Sequence, residues 1–510
     1  MVTVGDYGVT IDENHGRSNG EYFIRWYASA ASDRAIVTEG NHYLYGSFFN
    51  ALGALAERIS PFGAYDTRHF LVAVTGLIGI FFAARLARLI GGPLSGFLAA
   101  VMLAATPVYY GHMFMNPKDI PFAVLSLAAT YFLLRAYEGF PRLPKRDILV
   151  IGIVIGLALG VRIGALMLVG YAAVLAFIWL VVSRFGNHAS NDPLARGTAG
   201  VVVSLVSILA VAWMVMLPWW PYAQLNPILN PLRAFRRAAN FTDFPADVLF
   251  GGRFIPSDEL PLNYLPKFFS ITLPEYYAVA IGAGLIALTW HLATGRRRTW
   301  TPADRRRLVG LAFVIFTIVF PLSTVFLLRP ILYDGNRHFL FIIPPLAVVG
   351  GVALGYALRS FAPTPLKAVA ASVVAASVVL TTIDMVRLHP YQYLFYNRSF
   401  GGLPTALGRY ATDYWGQSHK EGVEWLMRNY RPDAPPGSIR VANSAADFQT
   451  AYYIEEAGDA ARRFVPVRDD ADPDIVLTIT RWNVHLRYPG KVLHVVRRVG
   501  VPLLYVVDVR

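Results

Sequence analysis

Long apolar runs broken by short polar stretches dominate the chain from about residue 70 to residue 386. A hydrocarbon layer roughly 30 Å thick asks for about 20 mostly apolar residues per spanning helix, and shorter spans are tolerated inside a bundle. Stretches of this kind lie near 70–90, 94–110, 120–137, 148–161, 163–183, 198–218, 276–293, 308–328, 338–357 and 366–386. The pattern predicts an all-α polytopic membrane protein with about ten transmembrane helices.

Outside these runs the periodicity changes. Residues 41–58 repeat apolar side chains at helical spacing but are too short and too amphipathic to span, which predicts a helix lying in the membrane interface. Segment 219–275 is rich in proline and aromatic residues and contains an amphipathic stretch from Leu229 to Asn240, so it reads as a structured external loop. After residue 386 charged residues become more frequent. A helix is expected from Ser418 to Asn429, followed by β-rich runs at 475–480, 491–496 and 502–509, and together they predict a small soluble α/β domain. The division expected is an external N-terminal region over 1–67, a transmembrane domain over 68–386 and an external C-terminal domain over 387–510.

Composition supports this layout. Of the 510 residues 55% are hydrophobic and the mean hydropathy is positive, more apolar matter than a soluble globule of this length carries. The net charge of +13 would suit nucleic acid, but the basic residues gather beside helix ends, as in Arg296, Arg297, Arg298, Arg305, Arg306 and Arg307. That is a topology signal, and no nucleic-acid partner is expected. Short loops rich in Lys and Arg stay cytoplasmic, and parity then puts residues 1–67, 111–119, 219–275 and everything after 387 outside, in a multi-pass plasma-membrane protein. No signal peptide precedes the first external region, so a further spanning helix upstream of residue 1 is expected. With no cysteine, disulfides are excluded.

Three groups of polar residues can carry chemistry. Asp12 and Glu13 stand ahead of the first span, where a carboxylate can take a proton from an attacking hydroxyl; a helix-capping acidic turn explains them equally simply. Residues 111–122, GHMFMNPKDIPF, form an external turn with His112, Asn116, Lys118 and Asp119, its backbone constrained by Pro117 and Pro121. Ionisable groups at that depth are costly and usually functional, although a helix cap by Asp119 and a snorkelling Lys118 would also account for them. The third group is cationic, Arg162 and the pair Arg337-His338. These residues suit a phosphate clamp, because Arg matches phosphate with a planar fork, or else they anchor helix ends at the interface. His15, His42, His69 and His112 could join Asp12 or Asp119 around a divalent metal, but their spacing follows no recognised ligand pattern. No metal ligand is therefore assigned and no cofactor is required. There is no P-loop, GxSxG elbow or HExxH motif.

Taken together, the acidic pair, YGSFFNALGALAERISPFGAYDTRHF, GHMFMNPKDIPF, YDGNRHFLF, HPYQYLFYN and DYWGQSHKEGVEWL resemble, in that order, the bacterial branch of the protein O-mannosyltransferases, glycosyltransferase family 39. The resemblance runs over roughly residues 7–425. It implies a type C glycosyltransferase bundle that transfers a sugar from a polyprenyl-phosphate donor to an acceptor hydroxyl of a protein, lipid or glycan, with inversion, at the exterior face. It further implies Asp12, with Glu13 beside it, and Asp119 as catalytic residues. Lys118, Arg162, Arg337 and His338 would bind the donor phosphate, and Asn116 and His112 the substrate. The alternative from another class is a transporter or lipid flippase, for which inverted repeats and mid-membrane charges would be expected. An inactive scaffold that binds a partner through its α/β domain is a third reading.

Overall fold

A computed structural model of the protein describes residues 3–185, 194–239, 246–294, 301–360 and 365–510. Arg296, Arg297 and Arg298, read above as part of a cytoplasmic cluster, lie outside the described residues, as does Asn240. The N-terminal region is more helical than its polar sequence suggests. Helix α1 (Glu13–Ala28) buries Phe23 and Trp26 against Ile36 and Ala51. Just ahead of it, the Glu13 carboxylate accepts a hydrogen bond from the Thr10 amide at 2.7 Å. Over 41–58 the expected single helix is broken: a 3₁₀ turn at His42–Leu44 precedes α2 (Phe48–Glu57).

The membrane domain consists of α3 (Ala64–Gly91), α4 (Pro93–Ala104), α5 (Pro107–Met115), α6 (Asp119–Ala136), α7 (Lys145–Leu159), α8 (Leu166–Phe185) and α9 (Leu194–Met216). An amphipathic α10 (Leu229–Ala239), a β1–β2 hairpin (Asp247–Phe250 and Arg253–Pro256) and α11 (Tyr264–Thr272) form the external excursion. The remaining membrane helices are α12 (Tyr276–Ala293), α13 (Pro302–Leu328), α14 (Ile343–Ser360) and α15 (Pro365–Leu388). Among the described residues eight helices are long and apolar enough to cross a membrane, or nine if the bent pair α4–α5 is one span. That pair turns by 66° at Thr106. Pro107 begins α5 there, and the Tyr276 and Tyr277 hydroxyls hold the Thr106 hydroxyl at 3.0 and 2.7 Å.

Helix α7 has only 15 residues, below the usual spanning length. Yet Arg162, just past its end, pairs with Asp119 at the start of α6, so α7 returns the chain to the side that α6 left. With α7, and with α4–α5 taken as one span, the passes among the described residues number ten, and residues before α3 and after α15 fall on the same side. Contacts between those ends agree: the Val9 amide donates to the Tyr453 hydroxyl at 2.6 Å, and Tyr7 donates to Gln392 at 2.9 Å. Helix α6 is central, with 83% of its apolar window buried, against 17% for α15 at the periphery.

The C-terminal part packs α16 (His419–Asn429) and α17 (Asp447–Ala457) on a five-stranded mixed sheet. Its order is β4-β3-β5-β7-β6, from β3 (Ile439–Asn443), β4 (Phe464–Pro466), β5 (Ile475–Ile479), β6 (Lys491–Arg498) and β7 (Val501–Asp508). The β-rich runs expected at 491–496 and 502–509 fall in the last two strands, which pair as an antiparallel hairpin.

One close approach shapes the region below. A Cβ on Gly46 would stand 2.2 Å from the Gly160 carbonyl oxygen, which is backbone and cannot swing aside. Gly46→Ala is therefore expected to destabilise the protein by about 1–3 kcal/mol through overpacking, read as a lowered melting temperature of the purified protein.

Candidate active site

The turn before α6 is built by Asn116. Its side-chain oxygen accepts from the amides of Lys118 (3.2 Å) and Asp119 (2.8 Å), and its amide nitrogen donates to an Asp119 carboxylate oxygen at 2.9 Å. Asp119 thus opens α6, where the helix dipole favours an anion, and its other oxygen pairs with Arg162. His112 stands behind this turn, fully buried, and accepts from the Asn116 amide at 3.1 Å.

A second arm comes from the segment before α14. Asp334 and Gly335 have left-handed backbone, φ 54° and 68°, and the resulting turn aims Arg337 inward. One Arg337 nitrogen donates to Asp12 at 2.6 Å and another lies 3.1 Å from Asp334, which also pairs with Arg481 at 2.5 Å. The guanidinium sits 4.9 Å from the ring of Trp415 and 5.1 Å from that of Tyr333, an arrangement that favours the cation when desolvated. In this chain of charges Asp12 is the open member, its side chain 52% exposed. Partial withdrawal from water acts to raise its pKa, but the adjacent Arg337 and then Lys118 outweigh that and hold the carboxyl below its ordinary value.

Lys118 projects its ammonium 3.4 Å from the centre of the Tyr45 ring, and this charge lowers the pKa of the Tyr45 phenol. Beside it His15 and His42 stack at 3.9 Å. Burial, His42 and Lys118 push His15 down to about 3, so this pair offers neutral imidazole rather than charge near neutral pH.

These groups share one cavity of about 1010 Å³. Asp12, Asn116, Lys118, Asp119, Arg162, Arg337 and His338 line its polar end. Its other walls are apolar, from Tyr171 and Val174 on α8 and Phe316, Phe320 and Leu328 on α13. Phe320 and Leu328 are also 38% and 71% exposed, so the cavity extends to the lipid-facing surface between these helices. The Nε donors of Arg162 and Arg337 are buried without a hydrogen-bond partner, which is costly unless a ligand supplies an acceptor.

Two of the residues expected at the site are elsewhere. Glu13 is 1% exposed and lies 2.8 Å from His69; one residue on a helix is about 100° of rotation, and this turns it away from the cavity that Asp12 faces. His112 supports Asn116 from behind instead of lining the cavity. The four histidines considered for a metal do not converge: His15 stacks on His42, His69 meets Glu13, and His112 meets Asn116. Among the described residues no group of three or more His, Asp or Glu is arranged to hold a metal ion. Tyr45 and Trp415 also line the cavity, and they lie in the segments YGSFF and DYWGQSHKEG.

The fold is that of the type C glycosyltransferases. Over 99% of this chain and 95% of the other it is similar to ArnT from Cupriavidus metallidurans bound to undecaprenyl phosphate, with a TM-score of 0.50 and 16% identity. The apo state of ArnT gives 0.48, again at 16% identity with 99% and 95% covered. The archaeal oligosaccharyltransferase AglB from Archaeoglobus fulgidus, in complex with an inhibitory peptide and a dolichol-phosphate, gives 0.43 at 13% identity, with 86% and 61% covered. No curated protein matches the sequence. Residues 61–214 match the family model described as dolichyl-phosphate-mannose-protein mannosyltransferase. The protein is a multi-pass membrane protein with the type C glycosyltransferase fold.

Proposed function

We propose that the protein transfers a glycosyl group from a polyprenyl-phosphate donor to an acceptor hydroxyl, at the exterior face of the plasma membrane. The observation that carries this reading is the single cavity with cations and carboxylates at one end and an apolar, lipid-reaching wall at the other. The wall between α8 and α13 suits an isoprenoid chain. Arg162, Arg337 and Lys118 suit the phosphate, with His338 and Asn116 beside them. Asp119 holds Arg162 in place.

In the reaction, the acceptor oxygen attacks the anomeric carbon as the bond from that carbon to the phosphate oxygen breaks, which inverts the configuration. The electron pair leaves on the phosphate, neutralised by the arginines, and polyprenyl phosphate departs. Asp12 has one oxygen bound to Arg337 and the other free to take the acceptor proton. A weak base suffices, because the hydroxyl proton becomes acidic only as the new bond forms.

This assignment predicts a pH profile. Since Arg337 keeps Asp12 ionised below its ordinary range, turnover should stay flat from pH 7 down to about 4 and fall only as pH drops through the lowered pKa. An acid limb centred at about 6.5 would assign the base to a histidine.

The direct test incubates purified protein with labelled polyprenyl-phosphate sugars and membrane extract, and identifies products by mass spectrometry. A glycosylated acceptor with release of polyprenyl phosphate is expected. Intact donors throughout, with lipid flux across reconstituted vesicles instead, would overturn the proposal in favour of transport.

A further inference from the structure

Behind the large cavity lies a second one, of about 270 Å³, and one segment separates the two. Tyr333, Arg337 and His338 face the large cavity, whereas Asp334, Gly335 and Asn336 line the small one. Trp415 and its neighbour Tyr414 divide in the same way. The far wall is supplied by the external hairpin, through Asp247, and by the C-terminal domain, through residues 480–483 and His485.

The lining mixes apolar side chains, among them Val248, Leu249, Phe254 and Leu407, with aromatic rings that carry polar groups. Tyr264, Tyr396, Tyr410, Trp482, His485 and Tyr505 are among the lining residues, with Asn336, Asn483, Thr412 and Thr480 between them; the Asn336 amide donates to Thr272 and the two threonine hydroxyls bond each other, which leaves their remaining lone pairs as acceptors. His485 lies flat on Tyr505, 5.1 Å apart and 5° from parallel, and its Nδ1 is buried with no hydrogen-bond partner. Trp482 stands at the rim, 39% exposed. Three non-glycine residues with left-handed backbone meet here, Asp334 (φ 54°), Trp482 (φ 53°) and Asn483 (φ 57°). Such conformations cost energy and gather at binding sites, where the surrounding structure enforces them.

Charge narrows the ligand. Asp334 is already neutralised by Arg337 and Arg481, so the pocket has no unbalanced cation for an anionic ligand. Its amides and hydroxyls disfavour a purely apolar one. Flat rings that alternate with donors and acceptors match a neutral sugar, whose C–H face packs on an aromatic ring while its hydroxyls hydrogen-bond at the edge. The volume, just below the roughly 300–1,000 Å³ of drug-sized ligand sites, suits one ring.

We propose that this second pocket is a carbohydrate-binding subsite holding one neutral sugar ring of a glycan, separate from the cavity where transfer is proposed. Binding here does not require the transfer reaction. Asp334 links the two, since it lines this pocket and holds Arg337 in the other.

Saturation-transfer NMR on the full-length protein in phospholipid nanodiscs, free of sugar-based detergent and of lipid donor, tests the proposal. The probes are the methyl glycosides of mannose, glucose, galactose and arabinofuranose. Ring-proton signals are expected for at least one. Affinity should fall about tenfold in Trp482→Ala and in the milder His485→Gln, each losing a stacking or hydrogen-bonding partner, with melting temperatures confirming the fold. Absence of signal from all four probes overturns the proposal, and so does a signal that survives both pocket variants. Because no transfer is measured, a failed transferase assay leaves this outcome unaffected.

Discussion

Replacing Asp12 by asparagine is expected to lower turnover by about 10²–10⁴-fold, the range typical for loss of a positioned general base. The shape of the side chain is kept, and the amide oxygen can still accept from Arg337, so folding and donor binding should change little. Asp12 is also half-exposed, which limits any stability cost. Single-turnover assays with saturating donor would isolate the chemical step, and KM for the donor should stay within a few-fold. An Asp12→Asn enzyme of undiminished rate would remove this carboxylate from the mechanism.

The second large effect is expected at Arg337. This side chain is 8% exposed and sits between Asp12 and Asp334, so Arg337→Ala withdraws the cation from a buried carboxylate. Breaking such a pair costs about 3–5 kcal/mol, and the low end applies here because Arg481 still neutralises Asp334. Thermal unfolding in nanodiscs measures it. Arg337→Lys separates charge from geometry: most of the stability should return, but donor affinity should stay at least about tenfold weaker, since an ammonium cannot reproduce the planar fork. Full donor affinity in Arg337→Lys would rule out a fork-shaped phosphate contact.

The cavity's polar end was legible where the local backbone already places a charged side chain at a helix start. Asn116, Lys118 and Asp119 stand in a proline-flanked turn between two apolar runs, and that turn alone puts them at a helix start near the membrane face. Arg162 and Arg337 were legible as charges interrupting or opening apolar runs. Glu13 was misplaced because adjacency in sequence is not adjacency on a helix, and α1 itself was hidden by its polar composition. His112 was misplaced because a buried imidazole that orients a neighbouring amide has the same local sequence as one that touches substrate. Tyr45 and Trp415 offered only aromatic character, which in a membrane protein marks interfaces everywhere.

Hydropathy by itself determined the membrane class, the approximate spans and the change to a β-rich domain after residue 386, because lipid enforces an apolar run wherever a helix crosses and leaves no other solution for the backbone. The tertiary structure decided that α7 crosses despite its length, that α4 and α5 bend as a pair, and that Asp12 meets Arg337 across 325 positions of sequence. Those outcomes depend on which faces of distant helices pack together, and local hydrophobic pattern carries no record of that.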